Sequence, residues 1–165
     1  MKKNYISFIA SLAVLTNLYA GTENTSLPEL IHNKNIFYGI DLHERTFNPK
    51  GFTVIEDESP YLMVYSRSFD GWEMTVRVPD GKIQSVRLVK MLTATEEEVE
   101  HQHNELIEKN ELIYGITSKC ADNSPVSPPG KGCLIKYGAY LIDTGMIQQE
   151  DGRWSLVNGA TYIGR

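Results

Sequence analysis

The sequence predicts an α+β fold: an antiparallel sheet, made of a meander plus C-terminal strands, packed by one long helix and a short N-terminal helix. Three observations carry this. Alternating apolar residues broken by Asp-Gly pairs fill Tyr61 to Leu92. A capped helical pattern runs from Thr95 to Gly115, and apolar stretches resume at Cys133. Strands, one long helix, then strands again is the order expected when helices cover one side of an antiparallel sheet.

The N-terminus, MKKNYISFIASLAVLTNLYA, reads as a secretory signal peptide over residues 1–20. Lys2 and Lys3 precede an apolar run from Ile6 to Leu15, and Ala20 supplies the small residue at the cleavage site. The apolar core is about ten residues, roughly half of what a membrane-spanning helix needs. Residues 21–165 are then expected to form a single domain long enough to bury its own core. Cleavage removes two of the 16 basic residues and none of the 21 acidic ones, leaving a net charge of −7. Such a surface repels nucleic-acid phosphate and anionic lipid and attracts basic proteins. The expectations are a soluble product in the periplasm or outside the cell, no nucleic-acid partner and no membrane insertion after cleavage.

Ser26 and Pro28 have the chemistry of a helix start, for a short helix ending near Asn33. Ile36–Leu42 reads as one strand, and Asn48-Pro49-Lys50-Gly51 as a turn. Tyr61–Arg67 and Trp72–Val78 read as strands joined by Asp70-Gly71. In the second, Trp72, Met74, Val76 and Val78 alternate with Glu73, Thr75 and Arg77. Asp80-Gly81 turns the chain into Lys82–Leu92. Thr95 and Glu98 form a capping box, Glu96 to Glu98 favour the positive end of the helix dipole, and Gly115 is placed as a C-terminal cap. Beyond the next loop, Cys133–Asp143, Met146–Gln149 and Arg153–Asn158 read as strands, the last two joined through Asp151-Gly152.

The only two cysteines, Cys120 and Cys133, flank the stretch ADNSPVSPPGKG, whose composition suits neither helix nor strand. In an oxidising compartment they are expected to pair. Closing a loop of this length is worth about 3 kcal/mol through the entropy of the unfolded chain. The spacing fits neither a Cys-x-x-Cys redox motif nor a two-plus-two zinc site. Pro125, Pro128 and Pro129 stiffen the disulfide-closed loop 120–133. With Lys131 they make it a candidate partner-binding loop, because a constrained loop loses little entropy on binding.

Other chemistry is sparse. On a helical wheel His103 and Asn110 fall in the apolar stripe of Val99, Leu106, Ile107, Ile113 and Tyr114, as polar groups at a core edge. His101 lies opposite, with Glu97 and Glu105 near it, a weak candidate for metal binding that lacks the His-Glu-x-x-His pattern. Asp41 and His43 would share a face of an extended strand, but no nucleophile elbow accompanies them. Glu56-Asp57-Glu58 before Ser59-Pro60 reads as a charged turn. Trp72 and Trp154 each follow an Asp-Gly turn, as core residues or as an aromatic platform for a glycan or peptide. PPGKG lacks phosphate-loop spacing, and the sequence implies no cofactor.

The function expected is that of an exported bacterial protein acting by protein–protein contact rather than as an enzyme. An envelope accessory protein, or an inhibitor or immunity protein against a basic hydrolase or toxin, fits that class. The alternatives are a small-ligand binding protein using Trp72 and Trp154, and a small hydrolase using Asp41 and His43 or a metal at His101.

Overall fold

The computed structural model describes residues 32–58, 61–122 and 130–164 of the 165-residue chain. The signal peptide expected over residues 1–20, the short helix expected to begin at Ser26, and Pro125, Pro128 and Pro129 lie outside the described residues.

Two short strands, β1 (Ile36–Phe37) and β2 (Ile40–Asp41), form a small hairpin. Where the sequence predicts one strand over Ile36–Leu42, Tyr38 and Gly39 both take positive φ, 48° and 85°, and turn the chain back. Tyrosine before glycine is a poor signal for such a turn, whereas the Asp-Gly pairs at 70–71 and 80–81 adopt the same conformation and were legible.

The main sheet opens with β3 (Thr53–Glu58), β4 (Leu62–Phe69), β5 (Trp72–Pro79) and β6 (Ser85–Leu92), an antiparallel meander. β3 corrects the charged turn expected at Glu56-Asp57-Glu58. It is an edge strand with a bulge between Val54 and Glu56, and charges on an edge discourage pairing with other chains. The long helix α1 (Glu96–Tyr114) follows, with the Thr95–Glu98 capping box formed and Gly115 left-handed at its C-cap, φ 69°.

A second meander contains β7 (Lys119–Asp122), β8 (Gly130–Tyr137), β9 (Tyr140–Gln148) and β10 (Trp154–Tyr162). Here the segment predicted as one strand over Cys133–Asp143 divides at Gly138, φ 57°, which makes a hairpin of β8 and β9. The cysteine-flanked stretch is also corrected at its two ends, because Lys119–Asp122 and Gly130–Tyr137 pair as strands.

The strand order is β3-β4-β5-β6-β10-β9-β8-β7, so the two meanders meet at their last strands. To connect them, the chain must travel from the sheet centre at β6 to the far edge at β7. Four strand spacings are about 19 Å, and 19 helical residues reach about 28 Å. α1 makes that crossing over β8, β9 and β10. The arm of residues 32–52 covers the β4–β6 half of the same face. Phe37, Ile40 and Leu42 from the arm join Met74, Val76, Val86, Leu88, Ile135 and Ile142 in one core, and Val99 joins Met146, Trp154 and Leu156 in a second. Arm and helix meet over Asn158, which accepts from Asn110 Nδ2 at 3.1 Å and donates to the Tyr38 hydroxyl at 3.2 Å.

The architecture is thus sheet-dominated α+β, with one helix among the described residues. None of the described helical residues forms a helix long and apolar enough to cross a membrane.

Candidate functional site

The Cys120–Cys133 disulfide is formed. Its geometry is that of neighbouring strands: Cys120 lies directly opposite Cys133, and Cys133 directly opposite Thr144 on β9. The crosslink therefore pins β7, the last strand of the sheet, to the body of the fold. All four residues of β7 are exposed, while Cys133 is buried.

The approach to β7 is built from the helix end. Glu111 Oε1 accepts from the Ser118 hydroxyl at 2.6 Å and from the Ser118 backbone N–H at 2.8 Å. These bonds favour the carboxylate and hold the Glu111 pKa below its ordinary value. They also set the direction in which the chain leaves α1 and enters the edge strand.

Between α1 and the disulfide hairpin runs a groove of about 230 Å³, lined by His103, Asn104, Ile107, Asp122, Lys131 and the two half-cystines. Lys131 lies opposite Asp122 in the strand register and forms an ion pair with Glu100 of α1. That pair and the nearby carboxylates of Asp122 and Glu96 raise the Lys131 pKa. Three acidic groups thus surround one ammonium. The Lys131–Glu100 pair is well exposed, so it orients the two side chains more than it stabilises the fold.

His103 is 1% exposed and sits on the sheet side of α1, hydrogen-bonded to the Thr144 backbone carbonyl. Burial holds its pKa below 6.5, with the Thr144 bond opposing the shift, and among the described residues its Nε2 has no partner. Helical periodicity places His103 and Asn110 in the buried stripe, as observed. Its position beside the disulfide depends on strand order, for which no local signal exists.

Other residues singled out in the sequence are dispersed. Trp154 is 4% exposed and packs against Val99, Met146 and Leu156. Trp72 is half-buried on the same covered face, touching both cores, with the Lys90 ammonium 5.9 Å from its ring. His101 Nε2 lies 3.5 Å from Glu105 Oε1 on the exposed side of the helix. Among the described residues no three of His, Cys, Asp or Glu converge as metal ligands do. The His43 imidazole turns towards Glu44, at 3.3 Å, while Asp41 Oδ1 accepts the backbone N–H groups of His43 and Glu44. Asp41 and His43 therefore engage through the backbone rather than as a side-chain pair.

No protein-family model matches the chain, and neither a curated protein nor a solved structure matches it.

Proposed function

We propose that the protein works by contact with another protein, through the edge strand β7 and the disulfide-closed loop that follows it. The observation that carries this reading is an edge strand exposed along its whole length yet pinned by Cys120–Cys133 to a buried neighbour. An edge of this kind offers unpaired backbone donors and acceptors to an incoming extended segment. Pinning it removes much of the ordering cost that a free strand would meet on binding.

Charge indicates the partner. Glu96, Glu100 and Asp122 around Lys131 give this end of the sheet an acidic balance, and the whole chain carries −5. A basic partner is favoured, in keeping with export to the periplasm or the medium and a role as an envelope accessory protein or as an inhibitor or immunity protein against a basic hydrolase or toxin. Binding, not catalysis, is the proposed activity.

The test uses oxidised residues 21–165 as bait against envelope and secreted fractions of the host, beside the Cys120→Ser/Cys133→Ser double variant. The expected result is one basic partner, released by moderate salt and lost with the disulfide. A partner held equally well by the double variant, or an empty capture by folded bait, would overturn the reading.

A further inference from the structure

We infer that the protein has a second, independent binding site, for a compact aromatic carboxylate, in the cleft between the arm and strands β4 and β5. This site lies on the opposite half of the sheet from β7 and does not depend on the protein–protein reading.

The cleft holds about 400 Å³, within the usual range for small-ligand sites. Its floor is apolar, with Met74 1% exposed and Ile40 8% exposed. One wall is aromatic and braced: the Phe47 ring stands edge-on to Phe52 at 5.0 Å and packs on Tyr65 at 4.7 Å. The turn chemistry of residues 48–51 sets this wall, with Phe52 N–H donating to the Pro49 carbonyl at 2.9 Å and Lys50 N–H to Asn48 Oδ1 at 3.0 Å.

Two cations line the same space, Arg67 and Lys50. The Arg67 guanidinium lies 5.6 Å from the centroid of Phe52. It also passes close to Gly51, where a Cβ would stand 3.9 Å from its Cζ. Arg67 is thus laid along the aromatic wall instead of extending into solvent. Among the described residues neither Arg67 nor Lys50 forms a salt bridge. Among the described residues the one acid lining the cleft, Asp41, already accepts two backbone N–H groups through Oδ1.

Among the described residues the cleft therefore holds two cations against one carboxylate, a cationic spot on an acidic protein. A guanidinium fork recognises a carboxylate through two parallel hydrogen bonds. An aromatic body fills the apolar floor and stacks beside Phe47 and Phe52. A bare inorganic anion would leave the floor wet, and a neutral aromatic would leave the guanidinium unanswered.

The experiment is a titration of residues 21–165 with 2-naphthoate, read by calorimetry and by amide NMR shifts, beside its neutral counterpart 2-naphthamide. Saturable one-site binding is expected, with shifts concentrated in residues 38–52, 67 and 74. The amide should bind at least tenfold more weakly. Arg67→Ala should weaken naphthoate at least tenfold, about 1.4 kcal/mol, and Arg67→Lys less. The exposed-loop variant Lys50→Ala gives a second reading that does not touch the sheet, with a several-fold loss expected, while Lys136→Ala on the far strand β8 should change nothing. Scattered, unsaturable shifts would overturn the inference. So would equal affinity for acid and amide, or wild-type affinity in both Arg67→Ala and Lys50→Ala.

Discussion

Arg87 on β6 reaches Asp143 on β9 by crossing over β10, and the residue lying between them in the row is Gly159. The guanidinium Nη2 is 3.5 Å from Asp143 Oδ2. This pair occupies the sheet face opposite α1 and the arm. Burial raises the Asp143 pKa, and the Arg87 charge works against that rise. Gly159 is what makes room, because a Cβ there would stand 2.6 Å from Asp143 Oδ1.

Gly159→Ala should therefore destabilise the fold by about 1–3 kcal/mol, since the carboxylate must leave its place beside Arg87. Gly145→Ala is the comparison, because its nearest neighbour would be the Lys131 carbonyl oxygen at an ordinary 3.5 Å. Urea unfolding of the two variants should separate them clearly; equal losses would contradict the geometry.

Replacing Cys120 and Cys133 with serine should cost about 3 kcal/mol in urea unfolding. Because the crosslink joins an exposed edge strand to β8, its removal should also loosen the sheet unevenly. Amide exchange is expected to rise first in β7, with β10 still protected.

Asn110→Ala should cost about 1–3 kcal/mol, because it leaves the Asn158 carbonyl oxygen buried without its donor. In a double-mutant cycle with Asn158→Ala the two losses should sum to more than the double variant shows. Simple additivity would mean that the 3.1 Å contact carries no coupling.

Acid should destabilise the protein through His32, which stacks on Tyr38 at 4.3 Å and lies 3.4 Å from the Tyr114 hydroxyl. Burial, helped by the nearby Lys109 charge, lowers its pKa from 6.5 to about 4. As pH falls below 6.5 the unfolded chain takes up a proton that the folded chain refuses until about pH 4. Stability is thus present above pH 6.5 and declines towards pH 4, by about 3 kcal/mol from this group. His32→Phe should flatten that part of the stability–pH curve relative to the parent; an unchanged slope would show that His32 is not the responsible group.

Features written in local chemistry were legible. Thr95, Glu98 and Gly115 bound α1 because caps act within a few residues. The Asp-Gly turns act in the same way, and Cys120 and Cys133 paired because the chain offers no other thiols. What stayed hidden depends on distant neighbours. β3 is a strand although it carries Glu56, Asp57 and Glu58, because pairing with β4 outweighs its weak intrinsic preference. The arm shows no sustained periodicity, yet Phe37 is fully buried, in one core with Met74, Val76, Val86 and Leu88. The groove at His103 and the cleft at Arg67 both arise where separate segments cross, so no single stretch announces them.

The back-to-back strand order has a kinetic consequence. Among the described residues six of the seven pairings in the large sheet join strands adjacent in the chain, and only β6–β10 does not. Hairpins close short loops and zip early, whereas this seam must bring Leu92 beside Trp154 across the whole of α1 and the cysteine hairpin. The two meanders are thus expected to form before they dock, and truncating the seam residues Leu88, Val89, Val157 or Asn158 should slow refolding more than truncations within either hairpin set.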